Sequence, residues 1–275
     1  MIVPTDRQFR TLAEIAQREA GLHFPADKKA ILAARLQRRL REMGLGDIAT
    51  YLRLLAEDDP AGRRERDGLV CALTTNVTSP WREPHHFLAL AEELRRRTVA
   101  GVASRTPLRI WSAGCSTGAE VLSIATTCRH VLGPRWTDRV AILGTDVNGR
   151  VLAEAAEAVA RAPAAGMVPD GPFAIRPNRD WCAPPGDAVT VRQHNLLDPP
   201  PEPGRFDVVF CRNVSIYFHP DARAHAHGYL REALSPKGLL FLGHSERLDP
   251  ACHALSPEGR TTFRAPVDHR MAAGR

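Results

Sequence analysis

The segment Leu108 to Thr127 constrains this chain more than any other. An apolar run, Leu108 to Trp111, enters a turn holding Gly114 and Gly118, and an apolar, helix-compatible run, Val121 to Thr127, leaves it. Glycine suits such a turn because it adopts positive φ and lets a ligand come close to the backbone. Strand, glycine turn and helix in that order make the nucleotide-side cradle of an open α/β sheet. The spacing is GxxxG, not that of the dinucleotide fingerprint, so the turn alone does not identify its ligand.

The rest of the chain from about Pro107 keeps that rhythm. Strands are predicted at 108–113, 140–145, 189–193, 206–211 and 238–242, with a last one near 261–265. Helices are predicted between them at 119–131, 147–160 and 221–234. Such alternation implies a mostly parallel sheet with helices on both faces. Pro236, Lys237 and Gly238 mark the turn into the fifth strand. Residues 162 to 188, rich in proline and glycine, break the rhythm as an irregular insert, with a short hairpin predicted around Phe173 to Ile175. A long irregular stretch inside a domain is either functional or a surface excursion, and both readings stand at this point.

Residues 1 to about 75 read differently. Phe9, Leu12, Ile15 and Ala16 recur at helical spacing, as do Leu32, Leu36, Leu40 and Met43. Gly44 and Gly46 stop the second helix, Asp47 can cap a third that carries Tyr51, Leu52 and Leu55, and another is predicted from about Arg63 to Leu73. No β-alternation is visible there. Lys28, Lys29, Arg35, Arg38, Arg39 and Arg41 fall in one stretch without an acid. Lys28, Arg35, Arg38 and Arg39 share a face beside the leucine stripe, which is either a solvated face or a patch for an anionic partner.

Composition narrows the class. The 275 residues, 44% of them hydrophobic, suffice for one large or two small domains. No apolar run approaches the ~18 residues that a membrane span needs. The N-terminal residues lack a basic segment followed by a long apolar stretch, so no secretory signal is read. Six cysteines at 71, 115, 128, 182, 211 and 252 never form CxxC, which indicates neither zinc site nor disulfide framework. A reduced, cytoplasmic protein is expected. The net charge of +6 permits an acidic partner but is explained equally by solubility.

Three polar clusters carry the chemistry. Asp146 ends the second strand, and a carboxylate there, some 20–30 residues past the glycine turn, typically accepts hydrogen bonds from ribose hydroxyls; the alternative is a helix cap. Arg212, Asn213 and Tyr217 follow the fourth strand, Phe206 to Phe210, on the rim where open sheets bind ligands. The third cluster precedes the sheet: Thr74, Thr75, Asn76 and Thr78, then Arg82 and Glu83, then His85 and His86. The two histidines are adjacent and are not expected to present both rings from one helical face, so no metal site is predicted.

These blocks converge on a family. The chain resembles the chemotaxis-receptor protein-glutamate O-methyltransferases, the CheR family, in LTTNVTSPWREPHHF (73–87), RIWSAGCSTGAE (109–120), LGTD (143–146), HNLLD (194–198), FDVVFCRNVSIYF (206–218) and LSPKGLLFLGHSE (234–246). The resemblance implies a Rossmann-like class I S-adenosylmethionine-dependent methyltransferase sheet with a small all-helical N-terminal domain. The division would fall as 1–88, with basic helix 28–41 and cofactor-contacting junction 73–87, and 89–275, with the insert at about 160–190. It implies S-adenosyl-L-methionine as cofactor and S-adenosyl-L-homocysteine as product. Carried onto matching positions, Asn76, Thr78, Arg82, Gly114, Glu120, Asp146, Asn195, Leu196, Arg212 and Asn213 would bind the donor, with no metal.

The implied reaction is an in-line displacement in which a receptor glutamate carboxylate takes the sulfonium methyl, giving a glutamyl methyl ester. Tyr217 is expected to line the transfer point, and Arg95 is a candidate to hold the incoming carboxylate. The partners implied are the cytoplasmic methylation helices of chemoreceptors, met by the basic helix, with no nucleic acid and no membrane insertion. The chain also departs from the family. Pro80-Trp81 replaces a phenylalanine pair, and GAEVLS (118–123) replaces GEEPYS. The shorter insert lacks an aromatic start, which argues against docking of a receptor's C-terminal pentapeptide. Two alternatives remain: a same-fold methyltransferase acting on RNA or a small molecule, and a catalytically weak donor-binding regulator.

Overall fold

The computed structural model describes residues 3–99, 106–161, 186–252 and 254–267. The hairpin predicted near 173–175 and most of the insert lie outside the described residues. The chain forms two compact units, one of residues through Thr75 together with Tyr217–His225, the other of Asn76–Ile216 and Ala226 onward.

The first unit is built on four helices, α1 Asp6–Ala20, α2 Lys29–Glu42, α3 Ile48–Ala56 and α4 Pro60–Leu73. Local chemistry sets their ends. Thr5 and Gln8 form a capping box on α1, and Gly21 closes it at φ 70°. Asp47 accepts from the Thr50 amide at 2.8 Å and Asp59 from the Gly62 amide at 2.7 Å, each satisfying an N–H that a helix start leaves orphaned. Leu12, Leu32, Leu36, Tyr51, Leu55 and Leu69 fill the core. A buried polar network crosses it: Tyr51 Oη donates to Glu65 Oε1 at 2.6 Å, and Arg39 grips the same carboxylate through Nε at 2.9 Å and Nη2 at 2.5 Å. Burial and Glu65 push the Tyr51 hydroxyl up, while Glu65 holds the Arg39 guanidinium charged. Residues 217–225 join this unit through backbone bonds from His23 N to Tyr217 O (2.7 Å) and from His219 N to Gly21 O (2.8 Å).

The second unit holds helix α5 His85–Val99 and a seven-stranded sheet. Its strands are β1 Leu108–Ala113, β2 Val140–Asp146, β3 Val189–Gln193, β4 Phe206–Cys211, β5 Leu234–Leu242, β6 Ser256–Gly259 and β7 Thr262–Arg264. Helices α6 Ala119–Leu132 and α7 Gly149–Arg161 belong to it, and α8 Pro220–Ala233 has residues in each unit. The spatial order is β3-β2-β1-β4-β5-β7-β6, parallel from β3 to β5 and antiparallel beyond. The order reverses between β1 and β4, so their carboxyl ends flank the crevice where open sheets bind ligands. Strands β1 and β4 read as nearly unbroken apolar runs because they are central and covered on both faces. Phe87 of α5 stacks on Phe210 at 5.8 Å, and Phe210 meets Phe241 at 4.5 Å.

The structure differs from the sequence reading in three elements. Helix α5 had no assignment, although Phe87, Leu90, Ala91 and Leu94 are its buried stripe. Strand β6 is fully exposed and has no apolar alternation to reveal it. Strand β5 starts at Leu234 instead of 238, and the expected turn is a register irregularity within it, with Lys237 at φ 61°.

Candidate active site

The glycine turn is pinned to the end of β2. The amides of Gly114 and Cys115 both donate to the Thr145 carbonyl, at 2.7 and 2.8 Å. Gly114 lies at φ 88°, and a Cβ there would stand 2.4 Å from Val214 Cγ2, so the residue is glycine for two independent reasons. Gly118, also at φ 88°, begins α6 against Ala155.

Asp146 brackets this turn. Its Oδ2 accepts from the Ser116 amide and its Oδ1 from the Asn148 amide, each at 2.9 Å. Burial pushes its carboxyl up, and those N–H donors pull against that. The next strand end is tied to the same residue, since His194 N donates to Asp146 O at 3.1 Å. Asn195 and Leu196 therefore follow β3 beside it; Asn195 Oδ1 accepts from Leu197 N at 3.1 Å and Leu196 is buried.

Arg212, just past β4, is the buried centre of charge. Its Nη1 meets Glu120 Oε2 at 3.1 Å, its Nη2 stands 3.8 Å from Glu83 Oε2 and donates to the Arg82 carbonyl, and its guanidinium lies 5.5 Å from the Phe87 ring centre. Ser112 Oγ donates to the other oxygen of Glu120 at 2.7 Å. Burial pushes the Glu120 carboxyl up, opposed by Arg212 and Ser112. Asn213 follows in the left-handed region at φ 59°, and its Oδ1 is buried with no hydrogen-bond partner among the described residues. A buried acceptor without a donor is a place for a ligand's N–H.

The junction reaches the same turn. Ser116 Oγ donates to Asn76 O at 2.8 Å, Trp81 N donates to Ser123 Oγ at 3.1 Å, and Arg82 Nη1 donates to Val77 O at 3.3 Å. Thr78 is half-buried between them in sequence. Trp81 and Glu83 both sit at φ 56°, a conformation bulky residues rarely adopt. Bonds and strand ends thus gather Asn76, Arg82, Gly114, Glu120, Asp146, Asn195, Leu196, Arg212 and Asn213 at the carboxyl rim of one sheet.

Three expectations need correction, and a fourth residue, Tyr217, falls in the other unit. Arg95 does not reach the rim: it is half-exposed beside Glu92 (3.6 Å). Its helix ends where Arg97 bonds Asp207, at the amino end of β4. Tyr217 belongs with the helical unit and is 39% exposed. The basic face of α2 is partly spent inside its own unit. Arg39 is held by Glu65, Arg35 donates to Leu73 O and to Thr75 Oγ1 (2.6 Å), and Lys29 pairs with Asp6 (2.6 Å). Arg38 and Arg41 remain on the exposed face, Arg38 with Glu42 at 3.8 Å. Finally, the adjacent histidines do come together, their ring centres 4.1 Å apart at the start of α5. Ligand atoms of Glu83, His85 and His86 lie within 4.8 Å of one another. The Arg212 guanidinium already supplies positive charge to Glu83 there, and His244 Nδ1 takes its other oxygen at 2.9 Å.

Two acids have roles that their positions in the sequence do not reveal. Glu83, in the junction cluster, meets His244 and Arg212, and Glu246, which closes the last block, meets residues 213–215.

Comparison with known proteins places the chain in a family. Residues 76–263 match the family described as "CheR methyltransferase, SAM binding domain", and residues 7–74 match "CheR methyltransferase, all-alpha domain". A chemotaxis protein methyltransferase of Escherichia coli K12 is 33% identical over 96% of this chain and 92% of its own length. A chemotaxis protein methyltransferase 2 of Pseudomonas aeruginosa is 35% identical over 94% of this chain and 93% of its own. An S-adenosylmethionine-dependent methyltransferase structure from Mesorhizobium loti aligns at TM-score 0.33 and 20% identity, over 57% of this chain and 54% of that one.

Proposed function

The chain belongs to the CheR methyltransferase family of S-adenosylmethionine-dependent enzymes, and from that premise we propose that it methylates glutamate side chains of chemoreceptors in the cytoplasm. The observation that carries the reading is the buried, donorless Oδ1 of Asn213 on the rim that also holds Asp146 and the Gly114 turn. An amino acid linked to a nucleoside fits this set. Its ammonium would donate to Asn213 Oδ1, its ribose hydroxyls to Asp146, and its backbone-hugging portion would pass over Gly114.

Bound S-adenosylmethionine supplies an electrophilic methyl on a positively charged sulfur. The residues of this chain supply position. Asn76, Thr78, Arg82, Gly114, Glu120, Asp146, Asn195, Leu196, Arg212 and Asn213 hold the donor, and Arg212 stays buried between Glu120 and Glu83. Tyr217, in a 3-10 turn directly after the loop, is the residue proposed to meet the acceptor. The acceptor is a glutamate carboxylate, ionised at neutral pH with an ordinary pKa near ~4.3, so no general base is needed. Alignment of acceptor and methyl can supply roughly 7–11 kcal/mol of the barrier reduction. Arg38 and Arg41 on α2 offer exposed positive charge for an acidic receptor helix, where charge chiefly speeds and orients encounter. Among the described residues no helix is long and apolar enough to cross a membrane. Within residues 1–88 the junction is proposed to serve the cofactor and the basic helix the receptor, and residues 89–275 to form the methyltransferase domain.

The test is transfer of labelled methyl to chemoreceptor fragments, with RNA as the competing substrate. Base-labile label released as methanol from the receptor is the expected result; label on RNA, or donor binding without ester on any receptor, would overturn it. Asp146→Ala should weaken donor binding by roughly 1–3 kcal/mol through a lost bond to a charged acceptor.

A further inference from the structure

One buried carboxylate outside the donor set is more densely bonded than any group in it. Glu246, 6% exposed in the segment after β5, accepts five hydrogen bonds. Its Oε2 takes the amides of Gly243 (2.6 Å) and Asn213 (2.7 Å), and its Oε1 takes the amides of Val214 (3.0 Å) and Ser215 (2.8 Å) and the Ser215 hydroxyl (2.9 Å). Three consecutive amides of the loop after β4 thus converge on one anion supplied by the next strand's end. Such convergence makes a backbone nest, here occupied by a side chain of the same protein.

We propose that Glu246 is the positioning residue of the methyl-transfer site: its carboxylate sets the backbone of 213–215 and so aims the Asn213 side chain. This rests on the functional reading above. Asn213 is in the left-handed region at φ 59°, which an asparagine adopts only at a cost, and the Glu246 bonds on its own amide and the two after it hold it there. Gly243 leaves room for the arrangement, since a Cβ there would stand 2.7 Å from both Asn213 Nδ2 and Glu246 Oε2.

A second layer orients the anchor. His227 is buried, and its Nδ1 accepts from the Asp249 amide at 3.1 Å, so its proton lies on Nε2. That Nε2–H donates to Ser215 Oγ at 3.2 Å, and the Ser215 hydroxyl donates in turn to Glu246 Oε1. Serine, histidine and carboxylate therefore stand together as in a hydrolase, but with the direction of donation reversed. The serine hydroxyl is committed to the carboxylate and the histidine is a donor to it, so the group holds a loop and abstracts no proton.

Glu246→Gln keeps the shape and removes the symmetry. The glutamine oxygen can serve the Oε1 donors or the Oε2 donors, and its NH2 must then face N–H groups on the other side. For the folded variant, calorimetry with S-adenosylhomocysteine should read an affinity about tenfold to a hundredfold weaker, the span expected for hydrogen bonds to a charged group. kcat for ester formation on a receptor fragment should fall, with KM for the fragment unchanged. A merely structural role would lower the melting temperature and leave the affinity and kcat of folded molecules at wild type, and that result overturns the proposal. Should Glu246→Gln fail to fold, Ser215→Ala removes one donor of the five and should give a few-fold loss of affinity in the same direction; wild-type affinity there overturns it equally. Wild-type protein that binds no S-adenosylhomocysteine would sink the functional reading and this proposal together. Wild-type binding with no difference in the variants sinks this proposal alone.

Discussion

Arg212 Nη1 stands 3.1 Å from Glu120 Oε2 with both side chains almost out of water, 2% and 12% exposed. Two desolvated charges at that distance hold each other, and removing one leaves the other uncompensated. Glu120→Ala should lower the unfolding free energy by about 3 kcal/mol, toward the small end of the range for broken buried pairs, because Glu83 remains at 3.8 Å. Urea titration checks it. A shift of the midpoint at constant slope is expected, and an unchanged midpoint would mean that the pair adds nothing to stability.

The Gly114 and Val214 contact predicts a non-additive pair. Gly114→Ala meets both a φ of 88° and a methyl at 2.4 Å. The left-handed backbone alone costs about 1–2 kcal/mol for a residue with a Cβ, and the clash adds to it. Val214→Ala removes the clashing methyls but not the backbone strain. The double variant should recover roughly 1 kcal/mol relative to the sum of the singles, a coupling ordinary for residues in contact. Strict additivity in thermal melts would place the whole penalty in φ.

How much of this could be read beforehand follows a physical rule. The central strands and the glycine turn were legible because burial on both faces forces continuous apolar runs and because positive φ demands glycine. Asp146, Arg212 and Asn213 were legible as polar residues directly after such runs. Glu246 was not, since its partners are backbone amides, which every residue type carries. Arg95 and Arg39 misled for the opposite reason: a list of cations cannot tell a free guanidinium from one already held, as Arg39 is by Glu65 26 residues away. Strand β6 was invisible because an exposed edge of Ser, Pro, Glu and Gly follows no apolar pattern.

The part-buried and exposed cations of α2 should separate in experiment. Arg38→Glu with Arg41→Glu reverses exposed charge and should leave the fold intact while slowing methylation of an acidic receptor fragment, about tenfold at low salt and less at high salt. Arg39→Glu would set two carboxylates together in the core beside Tyr51 and should unfold the helical unit. Circular dichroism and kcat/KM against ionic strength distinguish them. If the surface pair has no salt-dependent effect, α2 does not meet the substrate.

Acid stability should carry two signatures from α5. Burial pushes His86 down to about 3, with Arg212 and His85 adding to it, so the native ring stays neutral well below the ~6.5 of an unfolded histidine. Between those values the unfolded chain binds a proton that the native chain does not, so stability rises with pH and is lost as pH falls, by up to ~1.4 kcal/mol per pH unit. Glu93 acts lower. Burial would raise its pKa, but the hydrogen bonds from Arg96, Arg97 and Arg264 win and bring it to about 2. Its stabilisation is complete above the ordinary carboxylate value and fades as pH falls toward 2, worth on the order of 1–2 kcal/mol once solvent screening is discounted. Denaturant titrations at a series of pH values should therefore show His86→Gln flattening the slope between about pH 6.5 and 4.5, and Glu93→Gln flattening it below that. Equal slopes for His86→Gln and wild type in the upper window would mean that the native histidine is already protonated, and the neutral ring inferred for the start of α5 would be wrong.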